Sequence, residues 1–148
     1  MSATLLIVLV VGVLALVAAW VAAVLSFVRR RRRRVQGRLD GDLAAGPAVR
    51  GPENAIYRSG TGQYPKAGGN GKLLLTSGRL VFRIMIGTDV VVSLEEITAI
   101  REAKTFKHNR AVGRTYLVVT TQSGEMGFLV HDTRAWMSAI EQAAPQHA

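Results

Sequence analysis

The first 28 residues carry no charged side chain, and this property constrains the chain more than any other. Residues 3–28 form one uninterrupted, mostly apolar run of 26 residues. An α-helix rises about 1.5 Å per residue, so about 20 residues are enough to cross the hydrocarbon core of a bilayer. A helix is also the only structure in which one segment satisfies all of its backbone hydrogen bonds inside lipid. The sequence therefore predicts a transmembrane helix over residues 1–28.

Six consecutive arginines follow this helix and supply two thirds of the formal net charge of +9. They are Arg29, Arg30, Arg31, Arg32, Arg33 and Arg34. Basic clusters beside a membrane span stay on the cytoplasmic side, which predicts a single-pass protein of the cell (inner) membrane with its N-terminus outside. We expect residues 29–34 to stop transfer and to contact anionic lipid headgroups. A cleaved secretory signal is the alternative, but such signals have a basic start and an apolar core of only about 7–15 residues.

Small residues recur along the predicted helix at four-residue spacing, at Ala15, Ala19 and Ala23. Such spacing lets two helices approach closely in a membrane. Alanine is abundant in this segment, so the pattern also arises by chance. Weak homo-oligomerisation through this face is therefore a hypothesis.

Residues 35–52 contain four glycines and two prolines and lack aromatic side chains. Neither a helix period nor a strand period is evident, which predicts a flexible linker. Residues 53–144 then form the cytoplasmic domain, and residues 145–148 form a tail. We expect residues 53–148 to fold without the membrane helix.

The predicted domain consists of short β-rich runs separated by turn residues, followed by one helix. Strands are predicted at 54–58, 72–76, 79–84, 89–94, 114–121 and 125–130, whereas residues 97–104 fit a strand or a short helix. Asp132 or Thr133 is a suitable N-cap, and Trp136 and Ile140 lie at helical spacing. The expected fold is a curved, mainly antiparallel sheet of about seven strands, closed at one end by this helix with Trp136 buried beneath it.

This order of elements resembles the pleckstrin-homology (PH) fold, and several segments resemble its GRAM-like and bacterial PH-like branch. The segments are the hairpin GKLLLTSGRLVF, the stretch VVVSLEEITAI, and the run from YLVVTT to the helix residues Asp132, Trp136 and Ile140. The resemblance covers about residues 54–143. It implies a module that binds lipids or proteins and is not an enzyme.

Catalytic and cofactor signatures are missing from the sequence. Without cysteine, a thiol nucleophile and a thiolate zinc site are excluded. The loop at 67–72 lacks the glycine and the Ser or Thr that a Walker loop requires, since Lys66 and Leu73 occupy those positions. His108, His131 and His147 do not share one face at ligand spacing. We therefore expect no enzyme activity, no cofactor and no metal, and the arginine run beside the bilayer is not typical of a nucleic-acid site.

A second basic cluster lies between the predicted strands 97–104 and 114–121. Its candidate anionic-lipid contacts are Lys104, Lys107, Arg110 and Arg114, and Phe106 among them is an aromatic side chain that could enter an interface. The alternative to a lipid contact is a solvated charged loop. The sequence leaves two classes of function open, which are a membrane-anchored module for protein or anionic-lipid recognition and a structural subunit that assembles with other membrane proteins through its helix.

Overall fold

The computed structural model describes residues 2–145, so the predicted tail beyond residue 145, with His147, lies outside the described residues. The chain divides into two compact units, Met1–Arg34 and Val35–Ala148. Helix α1 spans Ala3–Ala45. Of the helices in the described part of the chain, α1 alone is long and apolar enough to cross a bilayer. Its large apolar side chains from Leu5 to Phe27 are exposed.

A seven-stranded antiparallel sheet forms the body of the second unit. The sheet strands are β1 (Ala48–Gly60), β2 (Gly69–Thr76), β3 (Arg79–Ile84), β4 (Val90–Ser93), β5 (Ile97–Ala103), β8 (Tyr116–Thr121) and β9 (Gly124–Leu129). Their order across the sheet is β4-β3-β2-β1-β9-β8-β5. A separate two-stranded hairpin, β6 (Thr105–Phe106) and β7 (Asn109–Arg110), lies in the connection from β5 to β8. The predicted fold class is confirmed, and the ambiguous segment at 97–104 is a strand.

The long strand β1 joins the two halves of the sheet, since it pairs with β2 on one side and with β9 on the other. Side chains from both halves meet in one apolar core. The largest fully buried ones include Trp136, Tyr57, Phe82, Phe128, Leu73 and Leu75. Within this core the rings of Tyr57, Phe82 and Phe128 lie 5.3–5.8 Å apart, tilted against one another, as aromatic side chains prefer.

Helix α2 (Thr133–Ala143) closes the core as the sequence predicts. Asp132 is its N-cap, and the carboxylate accepts a hydrogen bond from the Ala135 backbone N–H at 3.0 Å. Trp136 is fully buried, and its indole Nε1–H donates to Glu53 at 3.1 Å. The Arg50 guanidinium lies 5.2 Å from the centre of the Trp136 ring. The tryptophan is therefore held by packing and by directed contacts from β1.

The prediction of an irregular linker over residues 35–52 is wrong. Helix α1 continues to Ala45, and β1 already begins at Ala48. Val35 and Leu39 are one helical turn apart, so they share a face, and this face packs on Leu74 and Val81 from β2 and β3. Glycines 37 and 41 have no neighbour near the position of a Cβ, so they do not interfere with this packing.

Ion pairs reinforce the contact between this segment and the sheet. The Arg83 guanidinium on β3 makes a bidentate contact with the buried Asp42 carboxylate, at 2.6 and 2.8 Å. Arg83 also contacts Asp89 at 3.1 Å, and Asp89 in turn pairs with Arg38. The hydrogen bonding that Arg83 donates to the Asp42 carboxylate is the main reason why the pKa of Arg83 is raised, against the opposing effect of burial. Residues 35–45 are thus part of the folded unit that contains the sheet.

Candidate functional site

The connection from β5 to β8 is an ordered structure that turns back on the sheet. Lys107 and His108 form the two-residue turn of the hairpin β6–β7, both with positive φ, at 46° and 65°. The Lys107 ammonium donates to the Gly60 carbonyl at 2.7 Å, which ties the turn to the end of β1. The Lys107 ammonium is therefore hydrogen-bonded to the backbone of its own domain, unlike the other three basic residues of the predicted cluster.

Phe106 does not occupy an exposed position, and the expectation that it enters an interface is wrong. Its ring is buried against Tyr116, with 6.2 Å between ring centres, and against Val118. Gly127 provides the space, because a Cβ at that position would lie 2.5 Å from the Phe106 ring. The small second core under the hairpin thus uses the only aromatic side chain of the loop.

The remaining basic residues of the loop surround an open cleft of about 620 Å³ beside the start of α2. One wall is the loop, with Lys104, Arg110 and Arg114, and the opposite wall is formed by residues 131–134. Glu102, Thr115 and Val130 also line it. The structure therefore assembles three of the four predicted loop cations at one concave site, which we name the basic cleft.

The carboxylates of the basic cleft are already engaged. Glu102 accepts a hydrogen bond from the Thr115 hydroxyl at 2.8 Å and lies 3.4 Å from the Arg134 guanidinium. Both contacts lower the pKa of Glu102, with the Thr115 hydroxyl as the largest cause. Asp132 caps α2 through Ala135. The cap satisfies one backbone N–H of the first turn of α2.

The three loop cations, in contrast, are available. Among residues 2–145, Lys104, Arg110 and Arg114 form no ion pair, and all three are exposed. Val112, which lies between the two arginines, is 92% exposed. The site can therefore offer positive charge on one wall.

Sequence reasoning missed the wall formed by residues 131–134. The N-cap signal at Asp132 marks the start of α2, and antiparallel pairing of β8 with β9 brings that start next to the loop. The N-cap signal and the strand pairing together are sufficient to predict that residues 131–134 lie beside the loop. Within residues 2–145, no group of three or more His, Asp and Glu side chains is placed to hold a metal ion.

The predicted lipid contacts at 29–34 belong to the first unit. In α1 the side chains of Arg29, Arg30, Arg32, Arg33 and Arg34 are exposed. Arg31 is partly buried because its guanidinium lies 4.9 Å from the centre of the Phe27 ring.

The sheet order and the C-terminal capping helix of the second unit are those of a PH-like fold. No protein-family model matches the sequence, and no curated protein matches it. Among solved structures, the chain is similar to the C-terminal domain of an unknown protein from Leishmania infantum, with 18% identity, a TM-score of 0.49, and coverage of 76% of this chain and 98% of that one. It is also similar to the PH domain of ArhGAP27, with 17% identity, a TM-score of 0.44, and coverage of 66% and 97%. A third similar structure is the Vps36 N-terminal PH domain, with 14% identity, a TM-score of 0.42, and coverage of 64% and 74%.

Proposed function

We propose that the chain is a non-enzymatic, single-pass membrane protein that presents its PH-like domain at the cytoplasmic surface of the cell membrane. The domain recognises an anionic group of a protein or a lipid through the basic cleft. The observation that carries this proposal is the convergence of three exposed, unpaired cations on one concave site.

The apolar half of α1 supports the membrane anchor. A patch as large as this one, exposed in water, would drive association or insertion. The arginines at 29–34 then favour retention of all later residues in the cytoplasm. Each of them contributes about 1 kcal/mol of attraction to an anionic leaflet, which would hold the anchor and its topology.

Assembly through the helix is the second candidate function. Ala15, Ala19 and Ala23 are successive members of one i, i+4 row of α1. Replacement of residues 3–28 by an unrelated membrane span distinguishes the two candidates. A recognition module should keep its function in this variant, whereas a subunit that assembles through its helix should lose it.

The topology can be measured directly because the chain contains no cysteine. We expect Ser2→Cys to react with a membrane-impermeant maleimide in intact spheroplasts. Ser138→Cys, on the exposed face of α2, should react only after permeabilisation. Labelling of Ser138→Cys from outside, or protection of both positions, would overturn the orientation. Loss of the first residues from the intact mass would instead identify a cleaved signal.

A further inference from the structure

We propose that the second unit forms a symmetric dimer, in which the edge strand β4 of one copy pairs antiparallel with β4 of a second copy. The inference goes beyond the proposed function, because the surface involved includes no residue of the basic cleft. Three properties of this edge support it: backbone groups that face away from the sheet, an uncharged sequence, and a two-fold match of charge and shape.

The backbone of β4 presents hydrogen-bonding groups at the outer side of the sheet. Among the described strands, β4 is the last in the sheet order and pairs only with β3. Just beyond β4, the Leu94 N–H donates to the Gly78 carbonyl, which precedes β3, at 3.0 Å. Successive residues of a strand direct their backbone groups to opposite sides, so Val92 also faces β3, whereas Val91 and Ser93 face away from it. Their N–H and C=O groups can therefore receive another strand.

The two edges of the sheet differ in composition. Strand β4, Val90–Ser93, contains no charged residue and no proline. At the other edge, β5 carries the exposed charges Arg101 and Glu102, and its pairing with β8 is irregular between Ile97 and Ala99. Exposed charges and irregular pairing oppose edge-to-edge association, so β4 is the edge open to a second copy. The four residues of β4 form a weak contact alone, and the proposed membrane anchor strengthens it by concentrating the copies in one plane.

Pairing about a two-fold axis at Val91 satisfies the free backbone groups. The two Val91 residues exchange both of their N–H···O=C hydrogen bonds, and each Asp89 faces Ser93 of the second copy. The Val91 side chain is 44% exposed and points to the outer face of the sheet, opposite to the buried Val90 and Val92. The two Val91 side chains therefore contact each other across the axis.

Charge complementarity favours this register. Arg79 is the β3 neighbour of Ser93, and among residues 2–145 it forms no ion pair. Asp89 lies on the same face of the sheet as Arg79, since it pairs with Arg83, which is in alternate register with Arg79 on β3. With Val91 at the axis, Asp89 of the second copy lies beside Ser93 and within reach of Arg79. The contact occurs twice in a symmetric pair.

The shape of the edge matches in the same arrangement. Ile86 is 63% exposed in the connection that precedes β4. At the other end of β4, an open groove of about 430 Å³ is lined by Val91, Ser93 and the segments 45–46 and 76–79. Antiparallel pairing brings the start of each β4 to the end of the other, so each Ile86 approaches the groove of the second copy. An exposed apolar side chain and a concave site on one surface thus become self-complementary.

Disulfide crosslinking of the full chain in membranes tests the dimer, because the chain contains no cysteine. With the axis at Val91, the two Cα atoms at this position lie about 5.5 Å apart, which a disulfide can span. Ser93→Cys is the matched control on the same strand, because its two Cα atoms lie about 14 Å apart along the strands. Under mild oxidation we expect Val91→Cys to give at least about five times more covalent dimer than Ser93→Cys.

Two additions to Val91→Cys test what holds the copies together. Arg79→Glu places like charges near Asp89 twice and should lower the crosslinked fraction about threefold or more. Lys66→Glu makes the same charge change in the β1–β2 loop and should leave the fraction unchanged. Replacement of residues 3–28 by an unrelated membrane span should also preserve crosslinking at position 91.

The contrary outcomes are specific to the dimer. Absence of crosslinking at position 91, or equal crosslinking at positions 91 and 93, would overturn it. Loss of crosslinking after replacement of residues 3–28 would show that the membrane helix holds the copies together, and would also overturn it. Labelling of Ser2→Cys in the same membranes reports the anchor separately, so failure of the dimer and failure of the proposed function are distinguishable.

Discussion

Replacement of Trp136 by alanine should lower the free energy of unfolding by about 3–5 kcal/mol, which is typical of a buried tryptophan or phenylalanine reduced to alanine. The side chain is 0% exposed and fills the space between α2 and the sheet. The variant also leaves Glu53 without its indole donor. Small domains have a total stability of about 5–15 kcal/mol, so the loss would be a large share of it. Urea unfolding of residues 35–148, followed by far-ultraviolet circular dichroism, measures the change.

Two further variants control this prediction. Trp136→Phe keeps an aromatic ring but removes the indole N–H, so we expect a smaller loss than for alanine. Ser138→Ala, two residues away on the exposed face of α2, should change the free energy of unfolding by less than about 0.5 kcal/mol. A loss below about 1 kcal/mol for Trp136→Ala would contradict the role of α2 as the cap of the core.

Removal of residues 35–52 should prevent the domain from folding cooperatively, whereas residues 35–148 should fold as a soluble unit. Truncation at residue 53 exposes Leu74 and Val81, and it removes Asp42, one of the two carboxylates that pair with Arg83. Loss of one partner of a buried ion pair costs about 3–5 kcal/mol, and each fully buried aliphatic side chain contributes about 1.5–3 kcal/mol. Together these losses approach the whole stability of a small domain.

A single substitution tests the same contact without truncation. Leu39 is fully buried, so Leu39→Ala in residues 35–148 should cost about 2–5 kcal/mol. Gln36→Ala, on the exposed face of the same helix, should have little effect. Equal free energies of unfolding for residues 53–148 and residues 35–148 in urea would show that the helical segment does not stabilise the domain.

The strands and the cap were predictable because their signals are local. Alternation of apolar residues, the Ser77-Gly78 turn and the Asp132 cap each depend on a few neighbouring residues, and the structure agrees with them. The segment 35–45 was not predicted, because four glycines and two prolines across 35–52 outweighed the short apolar row of Val35, Leu39 and Leu43. That row becomes stable through tertiary contacts with β2 and β3, which local propensity does not describe.

The site was predicted in part for a similar reason. The positive charge of the loop is visible in the sequence, and Lys104, Arg110 and Arg114 do lie together. The positions of the Phe106 and Lys107 side chains depend on contacts with Gly127 and Gly60. These glycines are distant in sequence and contact the loop only in the folded sheet. The exposed apolar residue is consequently Val112 and not the aromatic side chain that the composition of the loop emphasised.

Photo-crosslinking in intact membranes tests the recognition role of the basic cleft most directly. A diazirine amino acid at Ala111 of the full chain, which lines the cleft, would report what contacts this site. We expect a discrete adduct with a protein or an anionic lipid that is lost with Lys104→Glu and Arg114→Glu and kept with Lys66→Glu and Lys72→Glu. Adducts that persist after the charges of the cleft are reversed would contradict the recognition role of the cleft.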